Sequence, residues 1–302
     1  MKIIFMGTPG YAQKILEALI KAKDIEVVAV YTQPDKPVGR KKVMTPPPVK
    51  TTAQDAGINV YQPSRLRDEE TINEVTSIEC DFIVVAAYGQ ILPKEILSHA
   101  PCINLHASIL PKYRGASPIQ EAILNGDNCT GVTAMKMDEG LDTGDIIKIS
   151  KIAIDDDEMV ESLFEKLTLV ACDLTLDVLR NYDDYPQTKQ NESESTHCRK
   201  ITKADGEVEF LDAVALYNRY RAFTPWPGVH LSSGLKLKEI RLHAACHAYE
   251  AGKILEIYDD HIVVGCKLGA LKIYKVQPNS KNEMDIISYL NGKRLKVEDY
   301  LS

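Results

Sequence analysis

Two polar side chains of one predicted strand have the types and the spacing needed for acid–base chemistry. Asn104 and His106 lie in the segment CINLH, which precedes the turn-forming stretch SILPKYRG. Because side chains alternate between the two faces of a strand, Asn104 and His106 share one face. An amide donor beside an imidazole that titrates near neutral pH could bind a reacting carbonyl and move a proton. The alternative is a structural pair, in which a buried histidine neighbours a turn-capping asparagine.

A second polar cluster follows a later predicted strand. The stretch MDEGLDTGDI, residues 137–146, holds three aspartates, one glutamate and two glycines. Its spacing departs from that of a calcium-binding loop, so the sequence predicts no metal here. Asp142 is the candidate to orient and charge-stabilise an imidazole on the neighbouring strand. A solvated turn, in which Asp and Gly serve the local backbone alone, is the alternative.

A basic, proline-rich stretch over residues 33–50 follows the second predicted strand. It holds five prolines and five basic residues, and we predict a long exposed loop. Long loops in compact domains are usually functional or disordered. Lys and Arg neutralise phosphate charge, and proline lowers the entropy lost on docking. The stretch therefore predicts either a phosphate-contacting finger or a solvated run of charge.

Two further motifs bear on cofactors and packing. The first turn, GTPGYA over residues 7–12, lacks the full G-x-G-x-x-G pattern of dinucleotide-binding folds. We therefore predict that the protein does not bind NAD and that this turn caps a helix.

Trp226, the only tryptophan, is bracketed by prolines in FTPWPG and is predicted to form a rigid packing corner.

Alternating apolar runs and helical patterns predict the scaffold that positions these residues. Over residues 1–180, strands rich in Val and Ile alternate with helices, which is typical of a doubly wound α/β domain with a mostly parallel sheet. Residues 181–199 contain few large apolar side chains, so we predict a linker without a packed element. Residues 200–302 contain short strands separated by Gly and Asp, which predict a smaller β-barrel or sandwich.

Charge and cysteine usage narrow the class of protein. The net charge is -7, but residues 200–302 carry 15 basic and 13 acidic side chains, so the excess of acid lies in the first 199 residues. The seven cysteines are scattered without a C-x-x-C pair, which predicts reduced thiols rather than disulfides or a zinc knuckle. No apolar run approaches a membrane span and the first residues do not resemble an export signal, so we expect a cytoplasmic protein.

Along nearly its full length the chain resembles the methionyl-tRNA formyltransferases. The blocks NLHASILPKYRGASPIQ (104–120) and GVTAMKMDEGLDTGDI (131–146) resemble the wider folate-dependent formyltransferases. The tRNA-specific branch is indicated by TQPDKPVGRKK (32–42), FTPWPG (223–228) and LKIYKVQP (271–278). The resemblance implies a Rossmann-like formyltransferase domain followed by an OB-like barrel that binds tRNA. Gly10, Tyr11 and Lys41 depart from residues that are common in the family.

The resemblance also implies an activity and a set of site residues. The activity is transfer of a formyl group from 10-formyltetrahydrofolate to the α-amino group of methionine on initiator tRNA, by a protein expected to be monomeric and without metal. The implied catalytic residues are Asn104, His106 and Asp142. The implied folate-lining residues are Ala86, Ala87, Tyr88, Gly89, Gln90, Ile91, Leu92, Ser108, Met135, Asp138, Gly140 and Asp145. The implied tRNA contacts are Arg40, Lys41, Lys42, Lys200 and Lys203.

Three other functions stay open on the sequence. A nucleotide-sugar N-formyltransferase would share the catalytic residues, but the basic loop after the second strand favours tRNA. A formyltetrahydrofolate hydrolase should lack both that loop and the barrel. A noncatalytic folate- or RNA-binding module would not require Asn104, His106 and Asp142 together.

Overall fold

The computed structural model describes residues 1–39 and 41–301 and divides into two compact units. The first unit comprises Met1–Pro118, Cys129–Ala153 and Phe164–Cys198. The second comprises Ile119–Asn128, Ile154–Leu163 and the chain from Arg199 onward. Among the helices of the described residues, none is long and apolar enough to cross a membrane.

The first unit contains eleven of the strands found in the described chain. They are β1 (Lys2–Gly7), β2 (Glu26–Tyr31), β3 (Lys36–Val38), β4 (Val43–Thr45), β5 (Val60–Tyr61), β6 (Phe82–Ala86), β7 (Cys102–His106), β8 (Arg114–Gly115), β9 (Cys129–Lys136), β10 (Ile146–Ala153) and β11 (His197–Cys198). Seven of them form one sheet in the order β10-β9-β7-β6-β1-β2-β5. The pairs from β7 through β5 are parallel, whereas β9 is antiparallel to β7 and to β10. The predicted doubly wound, mostly parallel sheet is confirmed.

Helices alternate with these strands. They are α1 (Gly10–Lys21), α2 (Pro48–Asp55), α3 (Glu69–Ser77), α4 (Lys94–Leu97), α5 (Pro118–Leu124) and α6 (Val160–Arg180). Apolar positions at helical spacing, such as Ile15 and Leu19, bury one face of α1. At Gly7 a Cβ would lie 2.5 Å from the Cβ of Ala12 and 2.9 Å from the carbonyl oxygen of Ala86. Glycine is therefore needed where the end of β1 meets the first turn of α1.

Two segments predicted to lack regular structure contain short elements instead. In the stretch 33–50, β3 and β4 pair as an antiparallel hairpin, and α2 starts at Pro48. Proline suits the first helical position, because the N–H that it lacks has no partner within the helix there. In the stretch 181–199 the chain forms 3-10 turns at Tyr182–Asp184 and Glu192–Glu194, and β11 pairs in parallel with β8. Hydrogen bonds, rather than apolar burial, hold this second segment.

Through residues 119–128 and 154–163, the second unit includes most of α5 and the first turn of α6. From Arg199 onward it is an antiparallel β structure with two helices. Its elements are α7 (Ala213–Phe223), β12 (Val229–His230), β13 (Lys236–Ala244), β14 (Ile254–Ile257), β15 (Ile262–Gly265), β16 (Ala270–Gln277), β17 (Met284–Asp285) and α8 (Ile286–Lys293). The sheet order is β12-β13-β16-β15-β14, with β17 paired to β16. Branched side chains such as Ile254, Ile262 and Ile273 fill its core.

The prediction that Trp226 packs in a corner is wrong. Its side chain is 59% exposed, while the buried anchors of this turn are Phe223 and Val229. The flanking prolines fix the backbone, and the indole is left at the surface of the second unit.

Candidate active site

Strand β7 positions the two polar residues singled out from the sequence. The strand lies between β6 and β9, so its backbone is hydrogen-bonded on both edges. His106, its last residue, is only 6% exposed, and Asn104 is half-buried. Both side chains approach the carboxylate of Asp142, so they share a face of the strand as the period of two requires.

The carboxylate of Asp142 connects three parts of the site. Asn104 Nδ2 donates to its Oδ1 at 3.3 Å, and the backbone N–H of Gly115 donates to its Oδ2 at 2.8 Å. His106 Nδ1 lies 3.6 Å from Oδ2. That distance exceeds a hydrogen bond, but it is short enough for the carboxylate to stabilise a positive charge on the ring. Asp142 itself has a positive φ of 56°, a conformation that a residue other than glycine adopts at a cost.

The other ring nitrogen fixes the orientation of His106. Its Nε2 lies 2.9 Å from the carbonyl oxygen of Tyr113. Because a carbonyl only accepts, Nε2 carries the hydrogen in this contact. Nδ1 is then the atom that faces Asp142 and can take up or release a proton. The arrangement resembles an acid–base centre with a fixed ring and a nearby carboxylate.

The loop that carries Asp142 reaches the site by an indirect route. Since β9 runs antiparallel to β7, its last residue, Lys136, pairs with Ile103 at the start of β7 rather than with His106 at its end. The loop must therefore return along β7. Asp138 Oδ1 accepts from the N–H of Gly140 at 3.0 Å and from Thr143 Oγ1 at 2.7 Å, and so holds the loop together.

Side chains that the sequence did not single out support this loop from outside. Gln190 donates from Nε2 to the carbonyl oxygens of Asp142, at 2.9 Å, and of Gly144, at 2.8 Å. Arg114 in turn donates to Gln190 and to Glu192. Gln190 and Glu192 lie in the stretch predicted to be a linker. The sequence carried no signal for them, because isolated polar residues in a polar stretch have no periodicity.

The segment 86–92 follows β6, the parallel neighbour of β7. Ala86, Tyr88 and Leu92 are buried, whereas Ile91 is 74% exposed. Ala87 and Gly89 have positive φ values of 45° and 80°. The hydroxyl of Tyr88 is buried and has no hydrogen-bond partner in the described chain. An exposed apolar residue near an unpaired hydroxyl suits a ligand with an apolar ring and polar edges, and a folate has this chemistry.

Other predicted folate-lining residues make contacts within the protein. Gln90 accepts from the N–H of Leu66 and donates to the carbonyl oxygen of Pro63. Ser108 donates to the carbonyl oxygen of Lys112 at 2.6 Å. Met135 is buried in β9, next to Asn104 in register. Asp145 accepts from the N–H of Lys136 through its backbone oxygen.

The predicted tRNA contacts that the structure describes are exposed in each unit. Lys41 and Lys42 are exposed between β3 and β4, whereas Arg40 lies outside the described residues. Lys200 and Lys203 are exposed in the second unit. Within residues 1–39 and 41–301, no group of three or more His, Cys, Asp or Glu side chains could hold a metal ion.

Three side chains, here called the hairpin base, hold the foot of the β3–β4 hairpin. Lys50 Nζ lies 2.9 Å from each carboxylate oxygen of Asp35, and Gln62 Nε2 donates to Asp35 Oδ1 at 2.8 Å. The hydrogen bonds from Gln62 and from Lys50 lower the pKa of Asp35, so it accepts as a carboxylate at neutral pH.

Comparison with known proteins identifies relatives of both units. A formyl transferase family model matches residues 1–179, and a formyl transferase C-terminal domain model matches residues 200–294. The methionyl-tRNA formyltransferase of Sulfurimonas denitrificans is 66% identical over 302 residues, with 100% of both chains covered. That of Nitratiruptor is 55% identical over 301 residues, with 99% of both chains covered.

Solved structures share the fold at low identity. An N-formyltransferase from Helicobacter canadensis, in complex with folinic acid and dTDP-3-aminofucose, aligns with a TM-score of 0.69. The two are 19% identical, and the alignment covers 91% of this chain and 99% of the other. At this identity the likeness establishes the fold and not the acceptor.

Proposed function

Because the chain belongs to the methionyl-tRNA formyltransferase family, we propose that it transfers the formyl group of 10-formyltetrahydrofolate to the α-amino group of methionine on initiator tRNA. The observation that carries this proposal is the approach of Asn104 and His106 to Asp142 in a chain 66% identical to such an enzyme throughout its length.

Each polar side chain of the site has a distinct part in the proposed reaction. 10-Formyltetrahydrofolate supplies the formyl carbon and, as its leaving group, the folate nitrogen. Asn104 donates an N–H to the formyl oxygen as negative charge develops on it. Preorganised donors of this kind are often worth about 10²–10³ in rate.

His106 and Asp142 donate and accept the protons of the proposed reaction. Protonated at Nδ1, His106 donates to the same oxygen, while its Nε2–H remains bonded to the carbonyl of Tyr113. Asp142 stabilises the protonated ring from 3.6 Å and accepts, through water, the proton that the attacking amine releases. The proton then reaches the departing folate nitrogen.

The basic hairpin is the proposed contact with the acceptor stem. Arg40, Lys41 and Lys42 lie in the sequence of this hairpin, and the two lysines are exposed. Lys200 and Lys203 are the proposed tRNA contacts of the second unit. Phosphate neutralisation is the physical basis of these contacts, so the affinity for tRNA should fall as salt rises.

The remaining features of the proposal follow from the substrate. Residues 1–180 carry the proposed catalytic side chains, residues 181–199 connect the two domains in sequence, and residues 200–302 bind tRNA. We place the protein in the cytoplasm, where charged tRNA is found, and propose that it acts as a monomer.

A competition assay tests the function directly. The protein is given 10-formyltetrahydrofolate with methionine-charged initiator tRNA, an amino-sugar nucleotide and water as competing acceptors. We expect rapid formylation of Met-tRNA alone. Formylation of the sugar without Met-tRNA would overturn the assignment of the acceptor, and release of formate alone would make the protein a hydrolase.

A further inference from the structure

One side chain of the stretch 181–199 is fully engaged in holding the loop that carries Asp142. Gln190 uses both hydrogens of its amide, one on the carbonyl oxygen of Asp142 and one on that of Gly144. Nearby, Thr188 exchanges backbone hydrogen bonds with Ile146, at 2.8 and 2.9 Å. The loop is therefore attached to this stretch on both sides of Gly144.

A buried arginine fixes the other end of Gln190. The Oε1 of Gln190 accepts from Nε of Arg114 at 3.0 Å and from Nη2 of Arg114 at 2.8 Å. Arg114 is 2% exposed and also makes a bidentate pair with Glu192, at 2.9 and 2.7 Å. The hydrogen bonds that Arg114 donates to the carboxylate of Glu192 raise the pKa of Arg114, so the guanidinium stays charged and its donors stay in place.

Arg114 belongs to the same short segment as the carbonyl that holds His106. Tyr113, whose oxygen bonds to Nε2 of His106, directly precedes it. The N–H groups of Tyr113 and Arg114 donate to Thr196, through its hydroxyl and its carbonyl oxygen respectively, both at 2.9 Å. This segment thus has a defined position relative to residues 188–198.

These contacts join the two groups that face the ring of His106. The carbonyl of Tyr113 lies at Nε2 and the carboxylate of Asp142 lies at Nδ1. We infer that Gln190 and Arg114 are positioning residues, which together form a bridge that sets the position of Asp142 against His106. The positive φ of Asp142 agrees with this role, because that conformation needs support from outside the loop.

A substitution that removes the donors of Gln190 and keeps an acceptor tests this role. Gln190→Glu keeps an acceptor for Arg114, but it cannot donate to the carbonyl oxygens of Asp142 and Gly144. The matched control is Gln187→Glu, the same chemical change in the same stretch, where the side chain is exposed and donates only to the hydroxyl of Tyr182. Arg114→Lys is a second variant, because an ammonium cannot reproduce the fork that spans Gln190 and Glu192.

The first readout is steady-state formylation, which rests on the proposed function. We expect Gln190→Glu to lower kcat about 10- to 100-fold while KM for Met-tRNA stays within about twofold, since misplacement by about 1 Å has such costs. The control should match the parent. A raised KM with unchanged kcat, or parent-like kinetics in both Gln190→Glu and Arg114→Lys, would overturn the inference.

The second readout needs no substrate. In protein labelled with 15N-histidine, we expect the ring nitrogens of His106 to change chemical shift in Gln190→Glu and not in Gln187→Glu. Unchanged His106 resonances in folded Gln190→Glu would overturn the bridge. A parent protein that fails to formylate Met-tRNA, yet shows the shift change, would overturn the proposed function and leave the bridge intact.

Discussion

The residues around His106 and the basic β3–β4 hairpin hold their charged and polar groups in different ways. Around His106 the polar groups are buried or half-buried and pair with one another through Asp142, Gln190 and Arg114. The hairpin exposes Val38, Val43 and Met44 at 57%, 60% and 60%, and side chains hold it at its base. The region around His106 is held by a network of hydrogen bonds, and the hairpin is anchored at one end.

This difference matches the size of what each region must contact. Proton transfer depends on donor and acceptor positions to within a fraction of an ångström, so the atoms involved must be held before the substrate arrives. A phosphate backbone is long, and exposed cations can neutralise it from many geometries. In the proposed function, the fixed positions serve the small reacting group and the exposed hairpin contacts the large polyanion.

Loss of the imidazole should have the largest effect. For His106→Ala we expect kcat to fall by about 10³-fold or more, because both the donor to the formyl oxygen and its charge are removed. The affinity for tRNA, measured by filter binding, should stay near that of the parent. A variant with near-normal turnover would remove His106 from the mechanism.

Removal of the negative charge of Asp142 should lower kcat by a smaller factor. Asp142→Asn keeps an oxygen that can accept from Gly115, but it no longer stabilises a protonated ring 3.6 Å away. We expect kcat to fall by about 10²-fold with the fold retained. Single-turnover rates across pH would test this, and an unchanged rate at every pH would contradict it.

The hairpin should show the opposite kinetic pattern. For the double variant Lys41→Met with Lys42→Met we expect KM for Met-tRNA to rise about tenfold, with kcat at saturation unchanged. The slope of log affinity against log salt should lessen by about one to two, since each lysine neutralises about one phosphate. A loss of kcat with unchanged KM would mean that the hairpin takes part in the chemistry.

Loss of an exposed ion pair should have the smallest effect of these changes. Arg180 donates to both oxygens of Asp24 at 2.8 Å, a bidentate pair like that of Arg114 with Glu192, but both of its side chains are nearly half exposed. We expect Arg180→Met to unfold only slightly below the parent temperature at neutral pH, because water and salt screen exposed pairs. A large loss of stability there would break the contrast between the two arginines.

The same pair predicts a small dependence on acid. Hydrogen bonds from Arg180 lower the pKa of Asp24 from its usual 3.8 to about 2. A carboxyl group whose pKa is lowered by folding stabilises the folded protein at pH values above its pKa in the unfolded chain. This stability is lost as the pH falls through its pKa in the folded protein. The unfolding temperature of the parent should therefore fall slightly more between pH 4 and pH 2 than that of Arg180→Met.

Strand periodicity was enough to predict part of the site. Asn104 and His106 share a face because they are two apart in a strand, and both facts could be deduced from the apolar pattern. The doubly wound sheet followed from the alternation of strands and helices. Local patterns carry this kind of information.

What the sequence could not show depends on contacts distant along the chain. The antiparallel pairing of β9, and hence the returning path of the loop to Asp142, has no local signature. Gln190 approaches Asp142 from 48 residues away, through hydrogen bonds that leave no apolar pattern. Trp226 is exposed although tryptophan usually packs, whereas Phe223 and Val229 beside it are buried.

The pairing of β11 with β8 changes where a self-sufficient catalytic module must end. A chain cut at residue 180 would retain Asn104, His106 and Asp142 but lose Gln190, Glu192 and Thr196, so it should be a poor catalyst even if it folded. A boundary after Cys198, where the first compact unit ends, would retain them. Any exchange of the second unit between such enzymes, in evolution or by design, should therefore preserve the stretch before Arg199 along with the sheet.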